Sequence, residues 1–236
     1  MFPLIRPVAI LFLLLLAGCR TDRTSGGFQK LFPMDGIPQG WRVSDWSDVS
    51  KPPQTPSPWR VELGILHGSD PRGTWLISES EYADFVLRFE WKLGERGNSG
   101  CGLRFPSKGD PAFDGLELQM VDNRYYPGSM TVHDHELTGS LYKAVPPAQQ
   151  LYKPMDWNSY EVTCRGSKVK VVLNGVVIQD LDLKLQTAPL KRHDETAAPS
   201  LRERPRRGHI GFQELSRGGG HVMIRNAEIK ELSTTH

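Results

Sequence analysis

The chain predicts an all-β fold, an antiparallel β-sandwich of jelly-roll type. Three observations predict it. About ten short segments alternate apolar and polar residues with a period of two, as half-buried strands do. Turn-forming clusters of Gly, Pro, Asn and Asp separate those segments. No stretch of useful length carries the 3.6-residue apolar period of an amphipathic helix.

Taken in order, residues 1–18 stand outside the fold. Arg6 precedes the apolar run Val8 to Leu16, and Leu16-Ala17-Gly18-Cys19 follows, which reads as a signal peptide with a small-residue cleavage site. The run is too short to span a bilayer comfortably. Residues 19–27 are short, polar and Gly-bearing, a tether, and 28–236 form a single domain. Within it, Trp46 to Trp59 holds four prolines and reads as a loop. Strands are expected at Val61 to His67 and at Thr74 to Ser78. The next is the most regular: Phe85, Leu87, Phe89 and Trp91 alternate with Val86, Arg88, Glu90 and Lys92. Tyr125 to Gln150 is long, irregular and rich in His, Tyr and Pro. Tyr160 to Cys164 and Val169 to Leu173 are strands, and Asn174-Gly175 is a strong hairpin signal before Val176 to Leu183. Residues 184–207 are charged and read as a surface loop. His209 to Gln213 and Val222 to Leu232 close the chain.

The strands expected to organise the site are Asn98 to Phe105 and Gly115 to Asp122. Alternation turns Cys101, Leu103 and Phe105 to the core, with Gly100, Gly102 and Arg104 opposite; Leu116, Leu118 and Met120 face the core, with Glu117 and Gln119 opposite. A polar face with glycines leaves room for a ligand against the backbone, and it also suits an ordinary solvent-facing sheet.

Lys and Arg number 29 against 27 Asp and Glu, a formal net charge of +2. That balance gives no support to nucleic-acid binding. Cys101 and Cys164 both turn toward the core and read as two separate buried thiols, and no spacing suits a thiolate metal site.

Several motifs occur in one order: Asn98-Ser99-Gly100, Arg104, Gly115-x-Glu117-x-Gln119-x-x-Asp122, Thr138-Gly139-Ser140-Leu141-Tyr142, Trp157-Asn158, Leu173-Asn174-Gly175, Gly208-x-Ile210-Gly211-Phe212-Gln213 and Arg225-Asn226. In these the chain resembles the 3-keto-disaccharide hydrolase family from about Phe28 to Leu232. The resemblance implies a concanavalin A-like jelly roll and cleavage of the glycosidic bond of a sugar oxidised at C3. Leu16-Ala17-Gly18-Cys19 resembles a bacterial lipobox, which implies lipidation of Cys19 and a membrane-anchored lipoprotein on the periplasmic side or at the outer membrane.

Such chemistry needs a base for the acidified C2 hydrogen, an acid for the leaving oxygen and a donor for the ketone oxygen. Glu117 is the candidate base, and Arg104 the candidate donor; the alternative is an exposed strand carboxylate paired with Arg104. Gln119 suits sugar hydroxyls. Asp122 joins the catalytic set only if a β-bulge returns it to the face of Glu117; otherwise it caps the following turn. His133 and His135 supply a divalent metal site, a general acid, or only a polar loop. Tyr142 and Trp157 stack on a sugar or pack in the core, the latter reading favoured for Trp157. His209 and Gln213 share a polar face, and with Asn98 they complete the expected carbohydrate-binding set. Two rival functions remain. One is a non-catalytic carbohydrate-binding module. The other is a retaining glucanase, whose Glu-x-Asp-x-x-Glu spacing Glu117, Gln119 and Asp122 follow with altered residues.

Overall fold

The computed structural model describes residues 27–233. The expected leader, Cys19 and nearly all of the tether lie outside the described residues. Fifteen strands follow in chain order. They are β1 (Gln29–Lys30), β2 (Trp41–Asp45), β3 (Arg60–Glu62), β4 (Ile65–His67), β5 (Thr74–Tyr82), β6 (Phe85–Lys92), β7 (Asn98–Phe105) and β8 (Leu116–Val121), then β9 (Asn158–Arg165), β10 (Lys168–Leu173), β11 (Val176–Asp182), β12 (Leu190–Lys191), β13 (Ala197–Ala198), β14 (Gly208–Glu214) and β15 (Met223–Glu231). One four-residue helix, α1 (Pro111–Asp114), joins β7 to β8.

The larger sheet runs β11-β10-β9-β6-β15-β4-β3, with β1 also paired to β15; the smaller runs β2-β5-β14-β7-β8; β12 and β13 form a separate ribbon. Each β6 residue expected in the core is buried, and Val86, Arg88, Glu90 and Lys92 are not. The two sheets meet through these rings. Phe89 of β6 lies edge-on to Phe212 of β14 at 5.2 Å and to Tyr160 of β9 at 5.7 Å. The Tyr160 hydroxyl donates to the Gln119 carbonyl of the facing sheet at 3.0 Å, so its polar tip is satisfied inside the core. Cys101 and Cys164 are buried free thiols.

The Asn174-Gly175 turn has positive φ at both residues, 51° and 85°, as a type I′ hairpin requires. Val61 to His67 is a hairpin rather than one strand, because Leu63 and Gly64 take left-handed φ between β3 and β4. Trp157 is not core; it is half-buried, with the Arg225 guanidinium 3.9 Å from its ring centroid.

The departure that shapes the site lies in β7. His209 pairs with Phe105 but Gly211 pairs with Gly102, so β7 carries one extra residue between those partners. Arg104 there has φ 53°. This bulge reverses the alternation. Arg104 turns off the expected outer face, and Phe105 turns onto it, joining Trp75, Ile77 and Val49 in a second apolar cluster. A Cβ on Gly102 would stand 2.7 Å from the Phe105 ring, so glycine there leaves the room that ring occupies.

Candidate active site

The outer face of the smaller sheet carries the site. Glu117 and Gln119 of β8, Gly100 and Gly102 of β7, Gln213 of β14 and Trp75 of β5 project to this side, as the pairings Gly102↔Glu117, Gly100↔Gln119 and Gln213↔Trp75 require. The face is covered, not open: Glu117, Gln119 and Gln213 are all buried. The Glu117 side chain leans across Gly100, against the space a Cβ would fill there, and so points along β7 toward Asn98.

Two insertions supply the cover, one carrying α1 and one carrying the β12–β13 ribbon. Asp110 caps α1 by accepting from Ala112 N at 2.9 Å, and Pro111 opens the helix with the φ it prefers. Phe113 of α1 then meets His193 edge-on at 5.2 Å. His193 sits at the tip of the β12–β13 ribbon, which Arg192 pins down by a two-pronged pair with Asp114. Arg204, in the same insertion, donates to the Ala112 and Gly115 carbonyls at 2.8 Å each. Residues 184–207 are therefore a structured flap over the sheet, not a free surface loop.

A pocket of about 390 Å³ opens at the Asn98 end, within the ordinary range of small-molecule sites. One wall is Trp46, His193 and Tyr142, with ring separations of 6.2 Å and 5.9 Å. The other is Tyr125, Tyr126, Arg72 and Arg217, beside Leu215. Asn98 lies between, and its Oδ1 is buried with no hydrogen-bond partner.

Burial drives the protonation states. It pushes the Glu117 carboxyl well above the usual range, and the nearby Asp110 carboxylate adds to the effect. Asp110 itself is pushed up to about 7, again by burial first. The Tyr142 phenol is raised by burial and then by Glu117. His193 is shifted the other way, by burial and then by the Lys143 ammonium, so it is neutral at pH 7.

Of the residues singled out from the sequence, Asn98 and Tyr142 line this pocket, and Glu117 lies beside them. Gln119 and Gln213 share the face beneath. Arg104 does not join Glu117: its Nε donates to the Ala83 carbonyl at 2.6 Å, Nη1 to the Gly166 carbonyl at 2.7 Å and Nη2 to Asp84 at 3.0 Å, so it is a buried clamp between loops. The bulge is the reason. His209 is at the far end, its Nδ1 2.8 Å from the Ser78 carbonyl and its ring 6.0 Å from Phe105. Asp122 caps its turn through Arg124 N at 2.9 Å and accepts from Tyr152 Oη at 3.2 Å. Tyr152 stacks on Trp91 of the larger sheet, so Asp122 is turned away from Glu117. Burial raises the Asp122 carboxyl, but hydrogen bonds from Arg124 outweigh it and hold it low. His133 and His135 are exposed and stacked 6.3 Å apart. Among the described residues, no three His, Cys, Asp or Glu converge as metal ligands, so this pair lacks the further ligands a divalent metal needs.

Sequence reasoning missed Trp46, Arg72, Tyr125, His193 and Arg217. For His193 the available signal was loop length: stretches beyond about 12–15 residues that read as loop are commonly functional, and 184–207 reads as one.

Buried carboxyls, an aromatic-walled polar pocket and a jelly-roll sandwich define the class, a β-sandwich with a covered pocket on the outer face of its smaller sheet. The chain belongs to the family of 3-keto-alpha-glucoside-1,2-lyase-like domains, which it matches over residues 27–230. It is 29% identical over 144 residues to a 3-keto-disaccharide hydrolase of Bacteroides thetaiotaomicron. That match covers 52% of this chain and 49% of the relative, about half the relative's length. The fold superposes on a candidate glycosyl hydrolase of Parabacteroides distasonis with TM-score 0.67 at 23% identity, covering 87% of this chain and 99% of that one. It also superposes on LamAcat of Zobellia galactanivorans with TM-score 0.50 at 13% identity, covering 85% and 95%.

Proposed function

We propose that the protein cleaves 3-keto-glycosides in the Asn98–Tyr142 pocket, by elimination across C1–C2 followed by addition of water. The observation that carries this reading is the pair of environments flanking Tyr142. On one side is a carboxyl, Glu117, that burial keeps protonated; on the other is a neutral imidazole, His193. Two titratable groups pushed apart in this way are a matched acid and base. His193 takes the C2 proton, whose electron pair forms the C1–C2 double bond. The C1–O bond breaks, and the leaving oxygen takes the proton of Glu117. Tyr142, held protonated, donates to the ketone oxygen as charge builds there. Water then adds at C1, giving a proton to Glu117 as its oxygen bonds to C1, and the proton held by His193 returns to C2, so both groups regain their starting states. Glu117 thus keeps the place assigned from the sequence but gives a proton to the leaving group rather than removing one from C2. Asp122 faces Tyr152, so the two-carboxylate pair of a retaining glucanase is not assembled on this face.

The test is turnover of a 3-keto-disaccharide in deuterated water. Wild type should incorporate solvent deuterium at C2. His193→Asn should abolish both exchange and cleavage, and Glu117→Gln should lower kcat by about 10²–10⁴, the usual worth of a positioned acid or base, with far less effect on binding. Near-full activity in both variants would overturn the assignment. Glycan binding with no turnover by wild type would leave a binding module.

A further inference from the structure

We infer that the glycoside this pocket accepts is acidic: one sugar carries an oxyanion, a carboxylate, phosphate or sulfate, that docks on Arg72 and Arg217. The inference deepens the proposed glycoside site and rests on it for the identity of the sugar, though not for the presence of the anion. Its basis is two guanidinium groups on one wall that, among the described residues, have no carboxylate in ion-pair range. Most arginines that face other side chains here have such a partner, for example Arg88 with Glu161 and Arg192 with Asp114. Arg72 is instead held by neutral groups, Nε donating to the Leu215 carbonyl at 2.9 Å and Nη2 to the Tyr125 hydroxyl at 2.7 Å. Arg217 lies with its guanidinium carbon 4.9 Å from the Tyr125 ring centroid, and its Nε is buried without a hydrogen-bond partner.

The tyrosine organises both cations. It takes a hydrogen bond at its hydroxyl from one arginine and presents its ring face to the other. Two planar forks are thereby fixed in place before any ligand arrives, and little side-chain entropy is left to lose on binding. Unpaired donors of this kind match the paired oxygens of a carboxylate, phosphate or sulfate. The opposite wall holds His193 and Tyr142, and Asn98, with its unpartnered Oδ1, lies between to accept from a sugar hydroxyl. The pocket thus has a reacting end and an anion-holding end.

The test measures binding alone, so it is separate from catalysis. Wild type is titrated calorimetrically with methyl glucoside, methyl glucuronide, glucose 6-phosphate and glucose 6-sulfate at low ionic strength. At least one acidic sugar should bind about 10–100-fold more tightly than the neutral one, the range for charge-assisted hydrogen bonds. Comparison among the three acids identifies the oxyanion. Arg217→Gln and Arg72→Gln should each remove most of that preference, weakening the acidic sugar far more than methyl glucoside, Arg217→Lys should restore part of it, and added salt should erode it. Equal affinity for neutral and acidic sugars overturns the inference. So does failure of every acidic sugar to bind, or an equal loss of both sugar types in an Arg217→Gln protein of unchanged Tm. Turnover of a neutral 3-keto-disaccharide without acid preference removes this inference and leaves the proposed reaction standing; acid preference without turnover does the reverse.

Discussion

Asp110→Asn should stabilise the protein at neutral pH while leaving it unchanged near pH 4. Burial pushes Asp110 up from 3.8 to about 7, and Asp114 adds to this against the opposing Ala112 hydrogen bond, Arg192 and Arg204. Below the unfolded value both states hold the proton and nothing is lost. Above it the unfolded chain releases its proton and the folded protein does not. Unfolding therefore becomes easier by about 1.4 kcal/mol per pH unit until the folded value is passed. Three units give a loss of about 4 kcal/mol between pH 4 and 7. Asn keeps the oxygen that accepts from Ala112 N, so the helix cap survives the change. Urea unfolding at half-unit pH steps, followed by tryptophan fluorescence, measures the difference. The variant should lack the wild-type decline. It should also move the Glu117 limb of the kcat/KM profile to lower pH, because the charge that helps raise Glu117 is gone. Parallel wild-type and variant curves from pH 4 to 7, or a variant less stable at pH 7, would refute this reasoning.

Two further outcomes are expected. Phe89→Ala should destabilise by about 3–5 kcal/mol, since its ring is buried between Tyr160 and Phe212 at the junction of the sheets; a change under about 1 kcal/mol in urea unfolding would place the ring elsewhere. Cys19→Ser should move the protein from the membrane fraction to the soluble fraction with the domain still folded, as fractionation and circular dichroism would show; a processed variant that stays with the membrane would sink the anchor proposal.

The sheets were legible in the sequence because their period of two is set by burial of one face. Phe85, Leu87, Phe89 and Trp91 could be read straight off, and so could Glu117 and Gln119. The reading fails where the chain leaves that period. Nothing local to Leu103-Arg104-Phe105 announces a bulge, and one extra residue was enough to exchange the faces of Arg104 and Phe105. The flap failed for a different reason. His193 is placed by contacts far along the chain, through Asp114 and Phe113, and charged composition describes the side of such a segment that meets water, not the side that lies on the sheet.

The same bulge explains why the site lies at one end of the sheet. Phe105 closes the outer face over Gly102 and Gly211 and, with Trp75, makes that half apolar. Glu117, two positions along β8 from Gln119, is left to lean the other way, over Gly100 and toward Asn98. Its carboxyl is then shut beneath Tyr142 and α1 with no ion-pair partner among the described residues, and the Asp110 capping that helix raises it further. Each of these features weakens the folded state at neutral pH. A sequence selected for stability alone would place an apolar residue or an amide at position 117. The retention of two buried acids at this point is a physical argument for chemistry there, independent of any likeness to other proteins.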